Sequence, residues 1–81
     1  MNLHLTERAR KSYEAAPPHI RRAFEKQCQM LAQNLRHPSL RAKKYEGWEG
    51  VWQARVDGGW RFYFTIEQDT YLIIGLKPHP K

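Results

Sequence analysis

The stretch Val51-Trp52-Gln53-Ala54-Arg55-Val56-Asp57-Gly58-Gly59-Trp60-Arg61-Phe62-Tyr63-Phe64-Thr65-Ile66-Glu67 decides the fold. Trp52, Ala54 and Val56 alternate with Gln53, Arg55 and Asp57; Phe62, Phe64 and Ile66 alternate with Arg61, Tyr63 and Thr65. A period of two, rich in aromatic and β-branched residues, marks half-buried strands, here about 51–57 and 60–67. Gly58-Gly59 between them is a hairpin turn. A third strand follows at about 70–77, where Leu72, Ile74 and Leu76 alternate with Tyr71, Ile73 and Gly75.

Register decides which residues share a face. A two-residue Gly58-Gly59 loop sets Val56 opposite Arg61 and mixes core with charge. A three-residue loop, Gly58-Gly59-Trp60, sets Asp57 against Arg61 and Val56 against Phe62, and keeps the apolar set together. In that register Arg55 faces Tyr63. One sheet face is then apolar. The other gathers Gln53, Arg55, Arg61, Tyr63, Thr65 and Tyr71, with Lys77 beside Arg61.

Upstream, the period changes to that of a helix. Ile20, Phe24, Cys28, Leu31 and Leu35 recur at spacings of four, four, three and four, one apolar stripe. Pro18 suits the first turn of this helix, and Pro38 is expected to stop it near Arg36. A shorter helix precedes it, with Thr6 as N-cap and Ala9, Tyr13 and Ala16 along one side. Leu3-His4-Leu5 reads as a short strand or edge. Residues 39–50 connect the halves. The expected fold is one α+β domain over residues 1–81: an N-terminal helical hairpin packed on a small, mostly antiparallel sheet of three to four strands.

Eighty-one residues build one core. Three Trp, four Tyr and three Phe argue against disorder. No apolar run is long enough to cross a membrane, and Met1–Thr6 contains no apolar signal segment, so a cytoplasmic chain is expected. The lone Cys28 falls in the helical stripe and is expected in the core. His4, His19 and His37 lack metal-ligand spacing, and no glycine-rich phosphate loop, zinc motif or nucleophile elbow is present. Neither metal nor small-molecule cofactor is expected. Fourteen Lys and Arg against eight Asp and Glu give a net charge of +6, which favours an anionic partner such as nucleic acid, a ribosome or an acidic protein.

The basic, aromatic sheet face is the main functional candidate. Arginine matches phosphate with a planar fork, and tyrosine offers stacking area to an unpaired base. Lys43 and Lys44 extend the basic surface from the connector, and His79-Pro80-Lys81 lies just past the last strand. The plainer alternative is an ordinary solvated face with Arg55 and Arg61 paired to Asp57 or Glu67.

Lys43-Lys44-Tyr45-Glu46-Gly47, followed by Val51 to Phe64 with its Trp60-Arg61-Phe62-Tyr63-Phe64 strand, resembles the RelE/ParE toxin superfamily. His37-Pro38-Ser39-Leu40 resembles that family's exit from the second helix. The resemblance implies a bacterial type II toxin held by a cognate acidic antitoxin. Its implied activity is ribosome-dependent endoribonuclease cleavage of mRNA, in which the 2′-hydroxyl attacks its own phosphate. Arg55 and Arg61 then match the family's basic strand positions as catalytic residues, with His79 as the proton-transfer group. Lys43, Lys44, Tyr63, Lys77 and Lys81 become the RNA-binding set. The chain lacks the terminal aromatic of many relatives and a glutamate clearly placed as a base. Two alternatives follow: a ParE-like toxin that inhibits DNA gyrase without ribonuclease activity, or a small basic RNA- or DNA-binding module.

Overall fold

The computed structural model describes residues 1–79. Its elements are β1 (Asn2–Leu5), α1 (Glu7–Ala15), α2 (Pro18–Gln33), β2 (Lys43–Lys44), β3 (Val51–Asp57), β4 (Trp60–Glu67) and β5 (Thr70–Pro78). They form one five-stranded sheet in the order β1-β5-β4-β3-β2, antiparallel except where β1 runs parallel to β5. The α+β class is as expected; the sheet is larger than the three to four strands expected. The additional strand is β2, two residues of the connector that pair Lys43 with Gln53 and Lys44 with Trp52. A pair this short carries no sequence period.

Thr6 caps α1, its hydroxyl accepting the Ala9 N–H at 3.1 Å. Pro18 opens α2. That helix ends at Gln33 rather than near Arg36. Asn34 is extended, and its side-chain oxygen takes the Arg36 N–H at 2.9 Å. An asparagine that captures the backbone two residues on competes with the next helical turn. Leu35 leaves the helix yet still packs against the core.

α1 lies against β5 and α2 against β3. Between them and the sheet sits a chain of rings. Phe24 meets Phe62 edge-on at 5.4 Å, Phe62 lies 5.7 Å from Phe64, and Phe64 meets Tyr71 edge-on at 5.7 Å. Edge-to-face contacts of this kind add about 0.5–1.5 kcal/mol each beyond area burial. Ile20, Leu31, Leu40 and Ile73 fill the remainder. Cys28 is half-buried at the margin of this core.

Two irregularities correct the expected register. The turn uses only Gly58 and Gly59, with Asp57 paired to Trp60, and the ladder then skips Val56, so that Arg55 faces Arg61. Tyr63 consequently faces Gln53, not Arg55. The bulge absorbs one residue, which keeps Val56 buried despite the short loop. On β5 the pairing skips Ile74: Tyr63 faces Gly75, and Phe64 faces Ile73. Tyr71 therefore turns into the core at 4 % exposure rather than onto the basic face. No helix among the described residues is long and apolar enough to cross a membrane.

Candidate nucleic-acid interface

The sheet surface carries two depressions, one of them reaching α1. The first, about 360 Å³, is lined by Arg41, Lys43, Gln53, Arg55, Arg61 and His79. All three expected catalytic residues are thus brought together, with Lys43. Each is held by a different device. Arg55 sits beside the bulge, where its backbone N–H donates to the Leu40 carbonyl at 2.8 Å. Its own carbonyl accepts from the Gln27 amide at 2.9 Å. Arg61 donates from one guanidinium nitrogen to the Asp57 and Trp60 carbonyls, at 2.8 and 2.9 Å. His79 follows the last strand, and its backbone N–H donates to the Gly59 carbonyl at 2.7 Å, which fastens it to the hairpin turn.

Among the described residues no carboxylate lines this depression. The ion pairs among the described residues are Arg10–Glu14 and Lys11–Glu7, both exposed on α1. The alternative in which Asp57 or Glu67 neutralises Arg55 and Arg61 is therefore not what forms. The Nε of Arg55 is buried and has no hydrogen-bond partner among the described residues. Three arginines and a lysine lining one depression, with a spare donor, leave a field that attracts an anion.

The second depression, about 420 Å³, lies between α1 and the sheet: Arg8 and Ser12 line it from α1, Tyr45 and Trp48 from the connector, and Tyr63, Gly75 and Lys77 from β4 and β5. Tyr45 meets Tyr63 edge-on at 5.3 Å, and the Lys77 ammonium lies 5.3 Å from the centre of the Tyr63 ring. Burial raises the Tyr63 phenol above its ordinary pKa; Tyr45 adds to the rise and Arg61 opposes it. Its hydroxyl remains a donor at neutral pH.

Lys44 pairs with Trp52, on the helix-facing side of the sheet, and lines neither depression. Lys81 lies outside the described residues. Sequence reasoning missed three residues. Arg41 has a left-handed backbone, φ 46°, which no periodic pattern announces. Gln53 was placed on the correct face without a role. Gln27 is a buried polar residue, 7 % exposed, within an apolar helix face. It donates to the Ser39 and Arg55 carbonyls and accepts from the Ser39 hydroxyl.

Solved structures share this architecture. The YoeB/ParE toxin from Agrobacterium tumefaciens matches with TM-score 0.82 at 15 % identity, covering 99 % of this chain and 100 % of that one. RelE of the RelE–RelB complex from Pyrococcus horikoshii matches with TM-score 0.77 at 20 % identity, covering 95 % and 92 %. The isolated E. coli RelE toxin matches with TM-score 0.76 at 16 % identity, covering 99 % and 85 %. At such identities the likeness is one of fold. No curated protein sequence matches the chain. A family model described as the ParE toxin of the type II toxin–antitoxin system parDE matches residues 3–79. With nearly the whole length matched, the chain belongs to the ParE toxin family of type II toxin–antitoxin systems, within the RelE/ParE superfamily.

Proposed function

We propose that the protein is a toxin that halts translation by cleaving mRNA on the ribosome. The observation that carries this reading is the shared depression of Arg55, Arg61, Lys43 and His79, with no carboxylate lining it among the described residues. In-line cleavage requires the 2′-hydroxyl to attack the adjacent phosphorus. The 2′-oxygen–phosphorus bond forms, the phosphorus–5′-oxygen bond breaks, and a 2′,3′-cyclic phosphate remains. One proton leaves the 2′-hydroxyl and one reaches the 5′-oxygen. Arg55 and Arg61 hold the phosphate and stabilise the charge that builds on it, because neither gives up its proton. Among the described residues lining the depression, His79 carries the imidazole suited to proton transfer, so that role falls to it. Lys43 and Arg41 guide the RNA backbone.

The partner in this reading is a cognate acidic antitoxin, as the RelE–RelB and DinJ–YafQ complexes have for their own toxins. The target places the protein in the cytoplasm. Induced expression followed by mapping of mRNA 5′ ends tests the proposal: new ends should accumulate within translated codons, and methionine incorporation should fall before DNA synthesis. Loss of DNA synthesis first, with mRNA intact, overturns it in favour of gyrase inhibition.

A further inference from the structure

We propose that Asp57 is a positioning residue for the proton-transfer step: its carboxylate fixes the Gly58-Gly59 turn that holds His79 beside Arg61 in the basic depression. The inference rests on the ribonuclease reading for what His79 does, and on geometry for how His79 is placed. Asp57 closes β3 directly after the bulge at Val56 and pairs with Trp60 across the turn. Its Oδ1 accepts the Gly59 N–H at 2.9 Å. An aspartate that takes the N–H two residues on forms an Asx turn, which holds the backbone in the conformation of the turn.

Gly59 passes that constraint to the tail. Its carbonyl accepts the His79 N–H at 2.7 Å. Pro78, which faces Trp60, has no N–H to give to the sheet. The first donor that the tail offers past Lys77 is therefore the His79 N–H, and it goes to Gly59. The same aspartate holds Arg61 by a different atom: its main-chain carbonyl accepts from the guanidinium at 2.8 Å. One residue thus sets both a proton-transfer group and a phosphate-holding group, His79 through Gly59 and Arg61 directly. Both side chains line the same depression.

The direction of the carboxylate matters chemically as well. Asp57 is half-buried, yet it makes no ion pair among the described residues. A carboxylate turned onto a guanidinium would compete with a phosphate for it. Engaged with the Gly59 N–H, the carboxylate shapes the site without neutralising it.

The two roles separate under substitution. Residue 57 keeps its main-chain carbonyl whatever its side chain, so the Arg61 bond survives. Asp57→Asn keeps an oxygen for the Gly59 N–H and removes the charge; Asp57→Ala removes both. Amide exchange of the full chain, followed by NMR, is measured beside steady-state cleavage on programmed ribosomes. Asp57→Ala should speed exchange at Gly59 and His79 about fivefold or more, the protection of one hydrogen bond, while the Phe62 and Phe64 amides keep theirs. Its kcat should fall about tenfold or more with KM little changed, because Arg55 and Arg61 still hold the phosphate. Asp57→Asn should match the wild type in both measurements. Should Asp57→Ala fail to fold, Asp57→Ser replaces it; a hydroxyl makes the same turn more weakly and should give a smaller change in the same sense.

Unchanged exchange at His79 after Asp57→Ala, or an Asp57→Asn variant as slow as Asp57→Ala, overturns the inference. So does faster exchange throughout the sheet with KM and kcat both changed, which marks support of the fold alone. The exchange measurement needs neither RNA nor ribosome. A wild-type chain that leaves mRNA intact overturns the ribonuclease reading, and the His79 exchange rate still decides whether Asp57 places that residue.

Discussion

Arg55 on β3 stands directly opposite Arg61 on β4, and no carboxylate forms an ion pair with either among the described residues. Like charges set across a strand pair destabilise a sheet by a few tenths of a kcal/mol to about 1 kcal/mol. The buried, unpartnered Nε of Arg55 adds a desolvation cost. A fold that keeps this pair holds an arrangement that suits an anionic ligand better than it suits the free chain.

Arg55→Met should therefore leave the melting temperature unchanged or raise it by a few degrees, because it removes the repulsion and the orphaned donor while keeping the buried stem. Growth arrest on induced expression should be lost. Thermal melts of the purified variant beside a growth assay check this. A lower melting temperature with arrest intact would show Arg55 to be structural.

Arg61→Ala should behave differently. Its guanidinium donates to two carbonyls of the hairpin turn. Removing it should cost about 1–3 kcal/mol of stability and at least about a hundredfold in cleavage rate. Phe64→Ala provides the contrast. Phe64 is fully buried among Phe62, Trp52 and Tyr71. The cavity should cost about 3–5 kcal/mol and leave the domain largely unfolded. Urea midpoints and single-turnover cleavage on programmed ribosomes separate the two variants.

Gln27→Leu tests the support beneath the site. It leaves the Ser39 and Arg55 carbonyls without their side-chain donor. The expected loss is about 1–3 kcal/mol, and Arg55 should shift. Gln27→Glu can accept from Ser39 but cannot donate to the carbonyls, so it should not rescue. Stability and cleavage should fall together, unlike in Arg55→Met.

Alkaline pH should weaken the fold through Cys28. Burial, reinforced by the nearby Glu25 carboxylate, raises this thiol from 9.0 to about 12. Between those values the folded chain keeps a proton that the unfolded chain releases. Stability is thus fully present below the lower value and declines as pH rises towards the upper one. Tyr63 and Tyr13, both shifted upward, act in the same direction at higher pH. Urea midpoints taken at successive pH values should fall from the neutral to the alkaline range, and Cys28→Ala should flatten the slope. Unchanged slopes in the variant would assign the effect to the tyrosines.

The three long strands and both helices were legible because alternation and helical spacing report how often a side chain returns to one face. The residues that give the site its shape were not. Val56 and Ile74 each drop out of the pairing, and one skipped residue changes every neighbour after it. Arg55 thereby exchanges Tyr63 for Arg61, and Tyr71 exchanges the outer face for the core. Composition is silent about bulges, because the same residues satisfy either register locally. Arg61 and His79 were identifiable by type and family resemblance, whereas Arg41 depends on a backbone twist in the connector. Gln27 reads as one more polar helix residue until its two carbonyl partners are seen.

The parallel pairing of β1 with β5 has a consequence in time. A chain is synthesised from its N-terminus, so Asn2–Leu5 emerges from the exit tunnel long before Thr70–Pro78, the strand it pairs with. Lys77 sits near the end of that strand, and His79, just past it, is fastened to the turn only once the strand is in place. The sheet cannot close on a half-made chain, and contacts between distant parts of a sequence form slowly. The basic depression is therefore completed only after β5 has emerged and closed the sheet, well after β1, both helices and β3 are available.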